Sequence, residues 1–93
     1  MKILVVCGSG LGSSLMMEMS IKKIIKELGI DAQVSHTDLG SAKGEGADIF
    51  VGTRDITNQL NDVNGEVISL KSMIDKKHMK EQLESTLKKM GLL

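Results

Sequence analysis

One segment near the start of the chain sets most of what it can become. Ile3, Leu4, Val5 and Val6 form an unbroken apolar run, Cys7 closes it, and Gly8-Ser9-Gly10-Leu11-Gly12-Ser13-Ser14 follows at once. An apolar run without polar alternation reads as a strand covered on both faces, which places it at the centre of a parallel sheet. Gly8, Gly10 and Gly12 let the backbone take positive φ and approach a ligand closely. The segment therefore reads as strand, glycine loop and helix, with the helix running from about Ser13 or Ser14 to Leu28.

The rest of the chain repeats this alternation without repeats, low-complexity blocks or linkers. Met17, Ile21, Ile24 and Leu28 are spaced by four, three and four, one apolar helix face, and Gly29 suits a left-handed cap. A second strand is expected at about Asp31 to His36; its polarity puts it at an edge. A loop from Thr37 to Gly46 leads to a third strand, Ala47 to Gly52. Thr53 is placed to cap a short helix to about Leu60. Asn64-Gly65 signals a turn, and a fourth strand follows from Glu66 to Leu70. Ser72 and Asp75 resemble a capping box for a last helix whose buried face is Met79, Leu83, Leu87 and Met90, closed by Gly91. Strands alternating with helices define an α/β fold. Right-handed crossovers give a four-stranded parallel sheet of order 2-1-3-4, with strand one central. The switch point between strands one and three then lies at their carboxyl ends, where such sheets bind ligands. Cys7 falls at that edge.

The loop carries the chemistry. Successive backbone N–H groups can point into one concavity, a nest for an anion, and the helix N-terminus adds its positive field. The same field favours a thiolate, so the Cys7 thiol is expected to titrate below a free cysteine and to act as a nucleophile. The plain alternative is a small buried hydrophobe, the usual role of a free cysteine, which leaves the glycines behind it unexplained. The hydroxyls of Ser9, Ser13 and Ser14 either donate to phosphate oxygens or form turns and caps; for Ser14 the two readings weigh equally.

Composition removes other classes. The 93 residues suit one domain with one modest core. Twelve basic and twelve acidic residues leave no net charge, which argues against nucleic acid or a polybasic membrane role. A single aromatic residue, Phe50, gives no stacking platform for bases. One cysteine makes no internal disulfide, which points to a reduced, cytosolic protein. Residues 3–7 are too short a run for a signal peptide, and no stretch reaches the roughly 20 apolar residues of a membrane span.

With Cys7-Gly8-x-Gly10-x-Gly12-Ser13-Ser14 in place after strand one, the chain resembles the IIB components of the bacterial phosphoenolpyruvate-dependent sugar phosphotransferase system. The ascorbate-type branch comes first and the galactitol-type next. Chain length, the Gly46-Ala47-Asp48-Ile49 entry to strand three and the closing helix fit as well. The resemblance implies that residues 1–93 form a single IIB domain with a flavodoxin-like, three-layer fold. It implies a phosphocysteine at Cys7, loaded by a phosphohistidine of a IIA protein and discharged onto a sugar held by a IIC membrane transporter. It makes Gly8, Ser9, Gly10, Leu11, Gly12, Ser13 and Ser14 the phosphate-binding segment. It implies no metal, no dinucleotide and no membrane insertion, with a cytoplasmic location at the inner face of the membrane through IIC. A low-molecular-weight phosphatase or arsenate-reductase-like enzyme shares such a cysteine loop. The phosphatases, however, carry an arginine six positions after the cysteine, where this chain has Ser13, and an Asp-Pro acid loop, whereas this chain has no proline.

Weaker signals surround this core. Gly8-x-Gly10-x-x-Ser13, with Asp38 downstream, matches a dinucleotide fingerprint only in part. His36 is read as a polar strand end rather than a partner of the thiol, and His78, among Lys76, Lys77 and Lys80, as solvated. Arg54 fits a phosphate-attracting role and an exposed helix start equally. Leu11 and Met16 flank the loop as a candidate apolar docking patch.

Overall fold

In the computed structural model the strand that sequence places at the centre is buried on both sides. β1 spans Lys2–Cys7, and Ile3, Leu4, Val5 and Val6 are each at most 1% exposed. The structure describes residues 1–7, 11–60, 63, 65–71 and 76–92, with residues 7 and 11–14 described by their backbone alone. α1 (Leu11–Leu28), β2 (Gln33–Asp38), α2 (Leu39–Ala42), β3 (Ile49–Thr53), α3 (Arg54–Thr57), β4 (Glu66–Leu70) and α4 (Lys76–Lys89) follow in turn. The sheet is parallel throughout, with the expected order β2-β1-β3-β4. Ile3 and Val5 point into a core shared with α1 and α4, including Met17, Ile21, Met79, Leu83 and Leu87. Leu4 and Val6 point the other way, onto Ala42, Phe50, Ile56 and Leu60. Among the described residues the first cluster holds fourteen buried residues and the second six. At roughly 1.5–3 kcal/mol per buried large apolar side chain, the α1/α4 layer supplies most of the burial.

Several boundaries differ from the sequence reading, each for a physical reason. α1 begins at Leu11 rather than Ser13 or Ser14, so Leu11, Gly12, Ser13 and Ser14 make its first turn. Gly12 lowers local helix propensity and hides that start from sequence reasoning. β2 lies two residues later than expected. Gly29 at φ +72° ends α1, with the Ile30 N–H donating to the Ile25 carbonyl at 3.1 Å. The ladder then begins where the Gln33 N–H reaches the Met1 carbonyl at 2.8 Å, and it runs to the Cys7–Asp38 pair. Only Val34 of β2 is buried, as suits an edge strand.

The stretch read as a loop contains the single turn α2. Asp38 caps it, its carboxylate accepting from the Ser41 N–H at 2.7 Å, and Ala42 is fully buried beneath β1. β3 begins at Ile49 rather than Ala47 and extends one residue past Gly52. α3 ends at Thr57 instead of Leu60, although turn bonds continue, from Gln59 N–H to the Ile56 carbonyl and from Leu60 N–H to the Thr57 carbonyl, both 3.0 Å. Thr53 holds the cap position but makes no capping bond: its hydroxyl donates to the Asp55 carboxylate at 2.6 Å. β4 has the expected bounds. Asn64 and the proposed capping box at Ser72 and Asp75 lie outside the described residues. Met79, Leu83 and Leu87 are buried on α4, Met90 packs against them, and α4 gives way at Gly91.

Gly65 enters β4 through a tight gap. A Cβ there would lie 2.7 Å from the Ala47 carbonyl oxygen and 3.0 Å from both the Asp48 carbonyl oxygen and the Phe50 ring. Two of those atoms are backbone at the mouth of β3, so the strand entry has to shift. Gly65→Ala is expected to lower stability by about 1–3 kcal/mol, read as a fall in urea midpoint; a midpoint equal to wild type would show that the gap yields freely.

Candidate functional site at the carboxyl edge of the sheet

β1 ends at Cys7, and α1 begins at Leu11. A buried, hydrogen-bonded strand thus fixes the Cys7 backbone, and a long helix starts four residues on. The first turn of a helix leaves its N–H groups without carbonyl partners, and the aligned peptide dipoles put positive potential there. Leu11, Gly12, Ser13 and Ser14 belong to that turn, so they are the start of the helix rather than residues of a loop before it. Gly8, Ser9 and Gly10 lie outside the described residues, as do the side chains of Cys7, Leu11, Ser13 and Ser14.

Two neighbouring strands bring further groups to this edge. Asp38 ends β2 and is the Cα partner of Cys7. The Ser41 side chain first, and the Ser41 backbone N–H second, hold the Asp38 carboxyl below its ordinary value. This carboxylate is already engaged by α2, which accounts for Asp38 without any ribose-binding role. On the other side β3 ends at Thr53. The Thr53 hydroxyl lowers the Asp55 carboxyl in the same manner. Arg54 is exposed at the first position of α3, and its backbone carbonyl accepts from the Thr57 hydroxyl at 3.2 Å and from the Asn58 N–H at 3.0 Å.

His36 pairs with Val5 rather than Cys7, two residues back from the edge. Its Nδ1 lies 3.3 Å from Oε2 of Glu18 on α1, a close polar contact without hydrogen-bond alignment. Glu18 is 8% exposed, and Lys22 approaches its other oxygen at 3.9 Å. His36 is therefore more than a polar strand end, because it closes the seam between α1 and β2 over a nearly buried carboxylate. Sequence reasoning passed over Glu18. The available signal was its place beside Met17 and one turn before Lys22, on the shoulder of the apolar face. His78 is half-buried on α4, not fully solvated. Among the described residues no three His, Cys, Asp or Glu side chains gather as a metal site, and no helix is long and apolar enough to cross a membrane.

A four-stranded parallel sheet of this order, covered by helices on both faces, is a flavodoxin-like α/β fold. Comparison with known proteins narrows the class. Residues 2–85 match the family model described as "PTS system, Lactose/Cellobiose specific IIB subunit". The "Ascorbate-specific PTS system EIIB component" of Mycoplasma pneumoniae is 30% identical over 88 residues, covering 91% of this chain and 93% of that protein. Its counterpart of the same name in Salmonella typhimurium is 33% identical over 76 residues, covering 78% and 75%. Among solved structures, the lactose-specific IIB domain of Streptococcus pneumoniae superposes with a TM-score of 0.65 at 16% identity, covering 95% of each chain. A low-molecular-weight protein tyrosine phosphatase from Bacillus subtilis superposes at 0.58 with 17% identity, covering 96% of this chain and 98% of that one. The chain belongs to the IIB family of the sugar phosphotransferase system, whose members are phosphotransferase components. The two superpositions, both under 20% identical, speak to the fold alone.

The lowered Asp38 carboxyl has a defined consequence in acid. A group depressed on folding contributes stability above its unfolded value and loses it as pH falls through the folded one. Asn still caps a helix but does not titrate. Asp38→Asn is therefore expected to flatten part of the fall in urea midpoint below about pH 4, with Asp55 supplying another part. An acid limb identical to wild type would mean that Asp38 is not linked to folding.

Proposed function

We propose that this IIB chain is a phosphoryl carrier in which Cys7 is both acceptor and donor. The observation that carries the reading is the placement of the single cysteine at the carboxyl end of the central strand, four residues before α1 begins. The first half-reaction is attack of the Cys7 thiolate on the phosphohistidine of a IIA protein. An S–P bond forms, the N–P bond breaks, and the imidazole nitrogen leaves with the electron pair and takes up a proton. In the second half-reaction a sugar hydroxyl held by a IIC transporter attacks the same phosphorus. The S–P bond breaks, the thiolate is regenerated and the hydroxyl proton is released. Backbone N–H groups of residues 8–14, with the first turn of α1, offset the charge on the phosphoryl oxygens. The hydroxyls of Ser9, Ser13 and Ser14 serve as additional donors.

The absence of an arginine six positions after Cys7, and of any proline, supports a relay over a hydrolase. Ser13 stands six residues after Cys7 and lies in α1, so no guanidinium clamp occupies that position. Without a proline the chain has no Asp-Pro loop to protonate an ester leaving group. A phosphocysteine here is hard to make from an ester and slow to lose its group to water, which suits a carrier. The substrate is an ascorbate-like sugar, in line with the names of the curated relatives. The carrier acts as a single domain over residues 1–93, at the cytoplasmic face of the membrane and through IIC.

Incubation with phosphoenolpyruvate, the general phosphotransferase proteins and a cognate IIA should add the mass of one phosphoryl group to the wild-type chain and none to Cys7→Ser. Equal labelling of both, or of neither, rejects the assignment. Aryl phosphate turnover that disappears in Cys7→Ala would instead favour the phosphatase reading.

A further inference from the structure

On the face of the molecule formed by α1 and α4, charge and apolar surface are sorted in a way the proposed chemistry does not require. A groove of about 300 Å³ runs between the helices, bordered among the described residues by Lys23, Lys76, Lys77 and Lys80 and by one carboxylate, Glu27, with the buried Ile24 in its wall. An adjoining hollow of about 280 Å³ shares Lys23 and Lys76 and adds Met16 and Met19. Leu15, Met16 and Met19 are 47%, 60% and 62% exposed. Among the described residues only Lys80 of the four lysines has a carboxylate within ion-pairing reach, Glu27 at 4.0 Å. The chain as a whole is neutral, so this is segregation of charge rather than excess. Lys76 and Lys77 are adjacent and both exposed at the start of the described part of α4.

We propose that this α1–α4 face docks a protein partner presenting acidic side chains around an apolar centre, and that the partner is the phosphodonor of Cys7. The proposal rests on the carrier reading above. Position is the first argument. Met16 is five residues along α1 from Leu11, about 7.5 Å of axial rise, so a protein seated on Met16 lies within two turns of the start of α1, four residues beyond Cys7. Chemistry is the second. Methionines and lysine stems repack around different contours, which suits a carrier that must bind briefly and release. Charge is the third. Cytoplasmic loops of membrane transporters carry an excess of Lys and Arg, so a lysine-rimmed groove matches an acidic donor better than the transporter itself.

The test measures phosphotransfer from purified phospho-IIA, at varied concentration, to wild type and to Lys23→Glu/Lys76→Glu/Lys77→Glu. The variant should raise KM about tenfold and leave kcat unchanged, since rim charges govern encounter. Wild-type KM should rise as salt increases from about 50 to 300 mM, while that of the variant should hardly respond. Met16→Ser/Met19→Ser should raise KM with the salt response intact. Circular dichroism and urea midpoints verify folding. If charge reversal unfolds the chain, the Lys→Gln versions of the same three sites, expected to raise KM about threefold, decide in its place. Unchanged KM in variants that still take phosphate on Cys7 overturns the docking surface and leaves the carrier reading intact. A wild-type chain that takes no phosphate overturns the carrier reading and the docking proposal with it. Co-sedimentation of wild type with phosphatidylglycerol vesicles, lost in the lysine variant while KM stays the same, assigns the groove to the membrane surface and overturns the protein partner.

Discussion

Burial of β1 on both faces is the constraint on which everything else depends. Ile3 and Val5 require a layer on one side, and Leu4 and Val6 require one on the other. No single helix satisfies both. The chain therefore supplies α1 and α4 to one face and the short α2 and α3 to the other, and β1 becomes the axis around which the sheet order changes direction. Right-handed crossovers then place the ends of β1 and β3 side by side at one edge. Cys7 reaches that edge because it ends the most deeply buried strand, so the hydrophobic effect and the position of the thiol have a single cause.

The two faces play different parts. The α1/α4 side holds the larger core and the long helices, and it also exposes the methionines and lysines proposed to dock a partner. The α2/α3 side is thin, and single turns cover it. Its termini are held by local hydrogen bonds, from Ser41 to Asp38 and from Thr53 to Asp55. Both carboxylates are lowered by these bonds and stand at the edge where Cys7 ends its strand.

Much of the architecture was legible because it follows from local pattern. The apolar run at Ile3–Val6, the spacing of Met17, Ile21 and Ile24, the polarity of β2 and the bounds of β4 each report burial or periodicity directly. What escaped was set by pairing across the sheet. The sequence pattern points to a β2 two residues too early, since nothing local says that the Gln33 N–H will meet the Met1 carbonyl. α2 was missed because four residues carry no period; its signal was Asp38 three residues before Ser41. Thr53 reads as a cap, but its hydroxyl donates to the Asp55 carboxylate and accepts no N–H from the first turn of α3. Glu18 was invisible as a buried group, because only the approach of β2 to α1 covers it with His36.

For this protein the sequence alone determined the fold class, the central strand, the sheet order and the nucleophile candidate. Each depends on the chemistry of neighbouring residues or on chirality that every chain shares. Tertiary structure decided the start of α1, the pairing of Cys7 with Asp38, the burial of Glu18 against His36, and the meeting of Lys23 with Lys76, Lys77 and Lys80. The reason is range. Lys23 is more than fifty residues from the other three along the chain, and only the packing of α1 beside α4 on one face of the sheet makes them a single surface.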